Sequence, residues 1–300
     1  MPLALNLTPA MPAEQAIKLL YAQLLISIKA NEHGIIASND SEYLHDFRVA
    51  VRKTRSGLSQ LKGILPESIS NEYRVFFSEL GKLTGACRDL DVYLLIFEKE
   101  KTYLSPPLQQ AIQPLELLLL KKQQQARHDL KLLLNSKQYL QKLNTWHHYL
   151  DTLNEKTAPV TIKQLATRRI KKNYRKVLQE GSVITSHSNG DELHELRKSC
   201  KKLRYLLEFF QPFYLEKKVK TVLKHLKALQ DVLGDIQDSY CQQQYLLQYR
   251  KELALQNTMA TTLEAIDYLI ERVISRRLKT REHFNEKFIA FKTIKGDDYF

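Results

Sequence analysis

The sequence predicts an all-α protein, and three observations predict it. Glycine numbers nine in 300 residues and proline nine; that glycine share is about half the usual one and leaves too few tight turns for a sandwich or barrel. The stretches between breaks are rich in Leu, Lys, Gln, Glu and Arg, which are good helix formers. Apolar residues recur at helical spacing, and strict alternation over a strand length is absent.

Breaks near 34–40, Pro66–Ser70, Ser105–Pro107, Asn154–Pro159, Gly181–Gly190, Pro212 and Gln256 mark out roughly eight or nine helices. The first follows Pro2, Pro9 and Pro12, which interrupt a short apolar stretch without a cationic start, so no signal peptide is expected. Asn39 with Glu42 and Asn189 with Glu192 resemble capping boxes ahead of the second and sixth segments. Phe47, Val51, Leu58, Leu61 and Leu65 give the second segment its apolar stripe, and Leu263, Ile266, Ile270 and Val273 do so in the last. The longest apolar run is six residues, Val92 to Phe97, too short to span a bilayer.

Composition narrows the function classes. The formal charge is +13, and most of the excess lies in the second half, which favours a polyanionic partner such as nucleic acid, anionic lipid or a phosphate polymer. No G-x-G-x-x-G or G-x-x-x-x-G-K-[ST] loop occurs. Cys87, Cys200 and Cys241 are scattered and form no C-x-x-C, so neither a disulfide framework nor a zinc knuckle is expected, and a reducing cytoplasm fits.

The chain repeats itself. His45, Arg48, Arg52, Lys53 and Arg55 stand against His194, Arg197, Lys201, Lys202 and Arg204 at a constant offset of 149. Later marks pair at 146: Pro66 with Pro212, Leu80 with Leu226, Leu83 with Leu229, Asp89 with Asp235. The change implies that the second copy of this helix ends about one turn earlier, and it aligns Arg88, found in the first copy only, with Gly234.

On a helical wheel His45, Arg48, Arg52 and Arg55 fall within an arc of about 80°, with Phe47, Val51 and Leu58 opposite. His194, Arg197, Lys201 and Arg204 fall likewise, widened by Lys198 and Lys202. Like charges three and four residues apart destabilise a helix by a few tenths of a kcal/mol per pair, so an anion seated on the stripes would offset a real cost. Arg168, Arg169, Lys172 and Arg175 form a further basic face, and Arg272, Arg276 and Lys279 a less specific one. Asp89, Asp91, Asp235 and Asp238 read either as acids that hold arginines or as a metal site, the latter only if they converge. The two leading histidines read as donors to an anion or as structural residues, and a phosphoacceptor role has no nucleotide loop beside it.

These motifs resemble the CHAD domain, the conserved histidine α-helical domain. The resemblance rests on H-x-x-R-V-x-x-R-K-x-R from His45, H-x-x-R-x-x-x-K-K-L-R-Y-x-x-E from His194, and the segments Gly85 to Val92 and Leu229 to Asp238, and it covers about residues 12–292. It implies two antiparallel four-helix bundles related by a pseudo-two-fold axis, with basic helices lining a central cleft or pore. The halves would be 12–155 and 156–292, with 1–11 an extension and 293–300 a tail. Val49, where the second copy has Lys198, departs from the symmetry.

The resemblance also implies binding of inorganic polyphosphate, and with it a cytoplasmic location, at polyphosphate granules in some members. The expected ligand residues are His45, Arg48, Arg52, Lys53, Arg55, Arg88, Arg168, Arg169, Lys172, Arg175, His194, Arg197, Lys198, Lys201, Lys202 and Arg204. Arginine supplies bidentate phosphate contacts and lysine a point charge. The expectation is a non-catalytic binder with no cofactor, no metal and no membrane span. Nucleic acid is the rival partner, weakened by the absence of aromatics within the stripes. A scaffold role and a polyphosphate-processing enzyme are the remaining rival functions.

Overall fold

Side-chain caps set where several helices begin. The Asp40 carboxylate accepts the Glu42 N–H at 2.9 Å, and the Ser136 hydroxyl accepts the Tyr139 N–H at 3.2 Å. Thr161 with Gln164, and Asn189 with Glu192, form reciprocal capping boxes. The second of these is the box expected from the sequence; Asn39 lies outside the described residues, and its neighbour Asp40 is the cap. The computed structural model describes residues 6–38, 40–153, 160–294 and 296–300.

Among these, eleven α-helices occur and no strand, beyond one isolated bridge between Pro12 and Thr161. They are α1 (Ala13–Ala37), α2 (Ser41–Gln60), α3 (Glu67–Lys101), α4 (Pro106–Ala111), α5 (Gln113–Leu134) and α6 (Lys137–Thr152), then α7 (Ile162–Ser182), α8 (Gly190–Phe210), α9 (Glu216–Leu255), α10 (Ala260–Glu282) and α11 (Phe284–Lys292). The count exceeds the expected eight or nine because the last segment breaks at His283 and a short α4 precedes α5. Pro114 lies in the first turn of α5 and cannot donate back into α4.

Apolar faces assemble two cores. The larger joins α1, α2, α6, α7, α8 and α11 with the N-terminal parts of α3 and α9 and the end of α5. Trp146, fully buried, sits at its centre with Tyr73 at 4.4 Å and Tyr21 at 5.5 Å between ring centroids. The smaller core joins the far ends of α3 and α9 with α4, the start of α5, and α10. Helix α2 packs between α1 and α3, α8 packs between α7 and α9, and α2 lies directly against α8.

Described segments near both ends are tied down. The Ile162 N–H donates to the Met11 carbonyl at 2.9 Å, and Leu7 is buried. Near the other end the Gly296 N–H donates to the Tyr174 hydroxyl at 2.9 Å, and Phe300 meets Tyr214 edge-on. Within the expected extension and tail, Leu7, Met11, Gly296 and Phe300 thus touch the helical body.

The expected slip to an offset of 146 is corrected by the structure. α1, α2 and α3 begin at 13, 41 and 67, and α7, α8 and α9 each begin 149 residues later. Tyr73, Phe77 and Leu80 are buried, as are Val222, Leu226 and Leu229, at that same offset. Pro66 caps α3, whereas Pro212 lies in a 3-10 turn ahead of α9, and Leu83 is exposed where Leu229 is buried. Helix α8 does not end early. A slip of three residues is close to one helical turn, so leucines three apart match almost as well either way.

Candidate functional site

Burying the apolar faces of α2 and α8 turns their charged faces towards one another. Leu44, Phe47, Val51 and Leu58 enter the core from α2, and Leu193, Leu196, Cys200, Leu203 and Leu207 from α8. Between them opens a cleft of about 480 Å³. Arg52, Arg55, Ser56 and Ser59 line it from α2, Arg74, Val75 and Ser78 from α3, and His194, Arg197, Lys198, Lys201, Lys202 and Tyr205 from α8. Seven lysines and arginines and one histidine thus surround it, with no carboxylate in the lining.

The crowding has electrostatic consequences. Burial, then Arg197 and Arg52, lowers Lys201 to about 7 from its ordinary 10.5, with Asp238 pulling the other way. Burial, then Lys176 and Lys198, lowers Lys202. The Nε–H groups of Arg52 and Arg197 are buried and donate to no protein acceptor. Buried donors of this kind are costly unless an acceptor reaches them.

Several expected ligand residues lie outside this lining and make contacts within the protein. Arg48 donates through Nη1 to the Gly81 carbonyl and the Thr84 hydroxyl, each at 3.2 Å, and lies over Gly85, where a Cβ would come within 3.1 Å of it. Lys53 is buried and pairs with Glu208 on α8 at 3.0 Å. Arg88 donates to the Ser41 carbonyl at 3.3 Å. Arg204 donates to Gln230 at 2.9 Å and pairs with Glu208 at 3.1 Å. Arg169 reaches the Lys62 carbonyl at 3.1 Å and joins α7 to the end of α2.

The two histidines differ. His194 lines the cleft, and its Nδ1 lies 2.9 Å from Gln237 Oε1. His45 is half-buried on α2, outside that lining, and burial followed by Arg88 lowers its pKa. At the 149-residue spacing of the helix starts, Arg88 aligns with Gln237 and not with Gly234. Gly234 instead matches Gly85, with the Arg197 guanidinium over it at 3.9 Å from a would-be Cβ.

A second hollow, about 790 Å³, runs along α7. Arg168, Lys171, Lys172, Arg175 and Lys176 line it together with Gln179, Glu180 and Val183. The effect of Lys176 on Lys202 ties this face electrostatically to the cleft. The Arg272 and Arg276 stripe is spent on Glu100, with Arg272 also 3.8 Å from the Tyr103 ring. Among the acids, Asp91 holds Arg127 at 2.8 Å and Asp238 lies 3.7 Å from Arg197. Among the described residues no group of three or more metal-ligating side chains comes together, and no helix is long and apolar enough to cross a membrane.

Sequence reasoning missed Arg74 and the serines. Their signal was present: Arg74, Ser78, Gly81 and Gly85 share one stripe of α3, a lone cation followed by small residues that let the α2 arginines lie close. Chemically the cleft offers many fixed donors in a pocket without acids, the arrangement that holds phosphate or another multivalent anion.

Known proteins share this architecture. The crystal structure of the CHAD domain from the plant Ricinus communis superposes with a TM-score of 0.81, covering 98% of this chain and 96% of that one at 23% identity. PptA from Streptomyces chartreusis gives 0.72 over 93% and 99%, at 10% identity. At these identities the likeness concerns the fold alone. Two uncharacterized Mycobacterium tuberculosis proteins, Rv2226 and MT2285, are 28% identical over 251 residues, or 80% of this chain. The chain spans about half the length of these relatives, 46%. The sequence pattern of the CHAD domain matches residues 20–247, which take in α2, α3, α7 and α8 and every side chain that lines the cleft, and the chain belongs to the CHAD domain family.

Proposed function

We propose that the protein binds inorganic polyphosphate, without catalysis, in the cleft between α2 and α8. The observation that carries this reading is the lining itself: seven lysines and arginines and a histidine, from three helices, with no acid among them. A polyphosphate chain carries charge on every internal phosphate and has no base or sugar to read, so rigid donors along a path suffice. Arg52 and Arg197 would turn their guanidinium groups to phosphate oxygens. Arg55, Arg74, Lys198, Lys201 and Lys202 would supply the remaining charge, and Arg168, Lys172 and Arg175 would extend the path along α7. The chain is read as a duplicated pair of helical bundles whose leading helices build the cleft together. The 149-residue spacing of the helix starts supports that reading. Action in the cytoplasm at polyphosphate granules belongs to the same proposal and is tested by co-localisation.

The decisive experiment is competition at fixed salt. Labelled long-chain polyphosphate is bound to the protein, and duplex DNA or RNA is added at equal phosphate concentration. Retention of polyphosphate is the expected result. Displacement by nucleic acid overturns the reading, and chain shortening during incubation with Mg²⁺ overturns its non-catalytic part.

A further inference from the structure

Of the three cleft lysines, Lys198 is ion-paired, Lys202 feels two carboxylates, Glu195 and Glu180, and Lys201 feels one. It is half-buried on α8, with Arg197 one turn before it and Arg204 one turn after it, and Arg52 acts on it from α2. Asp238 on α9 is the acid that bears on it, and no carboxylate forms an ion pair with it among the described residues. Lys198 pairs with Glu195 and Lys53 with Glu208. Lys201 therefore presents an amine without a salt-bridge partner, at the side of a cleft whose arginines suit a phosphate group. A lysine desolvated beside other cations keeps a reactive neutral fraction near neutral pH, the condition under which lysines form imines with carbonyl compounds.

We propose that Lys201 is a site of covalent imine formation with small aldehydes that carry a phosphate group, Arg52 and Arg197 holding the phosphate while the Lys201 amine attacks the carbonyl. The N–C bond forms as the C=O π bond opens. The amine gives up its protons, the carbinolamine loses water, and the C=N product remains; no oxidant or reductant is needed. The proposal rests on the reading of the cleft as a phosphate site. It adds a second ligand class, one that would occupy the same arginines as polyphosphate and compete with it.

Pyridoxal 5′-phosphate is the probe, with pyridoxal, which lacks the phosphate, as its control. The full chain is treated with each at near-neutral pH, the imine is reduced with borohydride, and labelled lysines are mapped by mass spectrometry. Lys201 should label at least about tenfold faster with the phosphorylated aldehyde than do exposed lysines such as Lys217 and Lys220. The same preference should hold over pyridoxal at Lys201 itself. Tripolyphosphate should block the reaction, and Lys201→Arg, which keeps the charge, should abolish it. Labelling spread over surface lysines, or equal labelling by pyridoxal, overturns the proposal. Polyphosphate binding is titrated on the same preparation: if binding holds and labelling fails, the imine site falls alone, whereas loss of both removes the reading of the cleft as well.

Discussion

Lys53 on α2 reaches across to Glu208 on α8, 3.0 Å away, with a side chain only 9% exposed. A residue of the first basic stripe is thereby spent joining the two helices that frame the cleft. Glu208 also receives Arg204 at 3.1 Å, so one carboxylate gathers a cation from each helix. Removing Lys53 leaves this acid half-satisfied, and removing one partner of a buried pair costs about 3–5 kcal/mol. Glu208 keeps 29% exposure, so water recovers part of that. Lys53→Met should destabilise the fold by about 1–3 kcal/mol, read as a lower midpoint in denaturant with an unchanged slope. A stability equal to the parent's would mean that the pair contributes nothing.

The two glycines under the stripe arginines make a paired test. Alanine is favoured over glycine in a helix by about 1 kcal/mol. At Gly234 a Cβ meets Arg197 only at 3.9 Å, so Gly234→Ala should raise stability by about 0.5–1 kcal/mol. At Gly85 the Cβ comes within 3.1 Å of the Arg48 Nη1, which is held by Gly81 and Thr84. Gly85→Ala should fall short of Gly234→Ala by about 1 kcal/mol, roughly one lost hydrogen bond. Thermal melts of the two variants side by side check this, and equal gains would refute it.

Much of the fold was legible because its signals are local. Scarce glycine, helical periodicity and the Asn189–Glu192 box act within a few residues, and they led to helices where helices occur. The cationic stripes were equally legible, since one face of each helix had to be apolar. Which stripe cations stay in the cleft was not, because that depends on partners far along the chain. Lys53 needs Glu208, Arg48 needs Gly81 and Thr84, and Arg169 needs the Lys62 carbonyl. No periodicity in α2 or α7 encodes those meetings. Arg74 was missed because no other cation of α3 lies within a turn or two of it, so it forms no basic run, and its place in the cleft follows from laying α3 beside α2 and α8.

Lys201 carries a prediction about pH. Its folded pKa, about 7, lies below the ordinary 10.5, so between those values the unfolded chain binds more protons than the folded one. Stability therefore rises as pH rises through that window, and the stabilisation is lost as pH falls towards 7. Lys201→Met removes the group and should flatten this part of the profile. Melting temperatures from pH 7 to 9.5, parent against variant, measure it; identical slopes would show that the amine is not depressed. By the same linkage, an anion bound beside Lys201 raises its pKa, so the Lys201 amine takes up a proton on binding above pH 7. Calorimetric titration in buffers of different ionisation enthalpy would register that uptake.

Charge reversal separates binding from folding. Arg52→Glu with Lys201→Glu replaces two cleft cations, one from each leading helix, by acids in a lining that has none. Polyphosphate binding should disappear at physiological salt, while the helical circular dichroism stays. The core faces of α2 and α8 are untouched, and the apo cleft loses like-charge repulsion between Arg52, Arg197 and Lys201. The milder pair Arg52→Gln and Lys201→Gln keeps the reading testable where the reversal binds nothing measurable. Each phosphate contact on a single-stranded polyanion contributes about −0.7 to the slope of log affinity against log salt. Losing two contacts should therefore make the slope shallower by about 1.4. An unchanged slope with weakened binding would mean that these side chains shape the cleft without touching phosphate, and loss of helicity in either variant would mean that the stripes hold the fold.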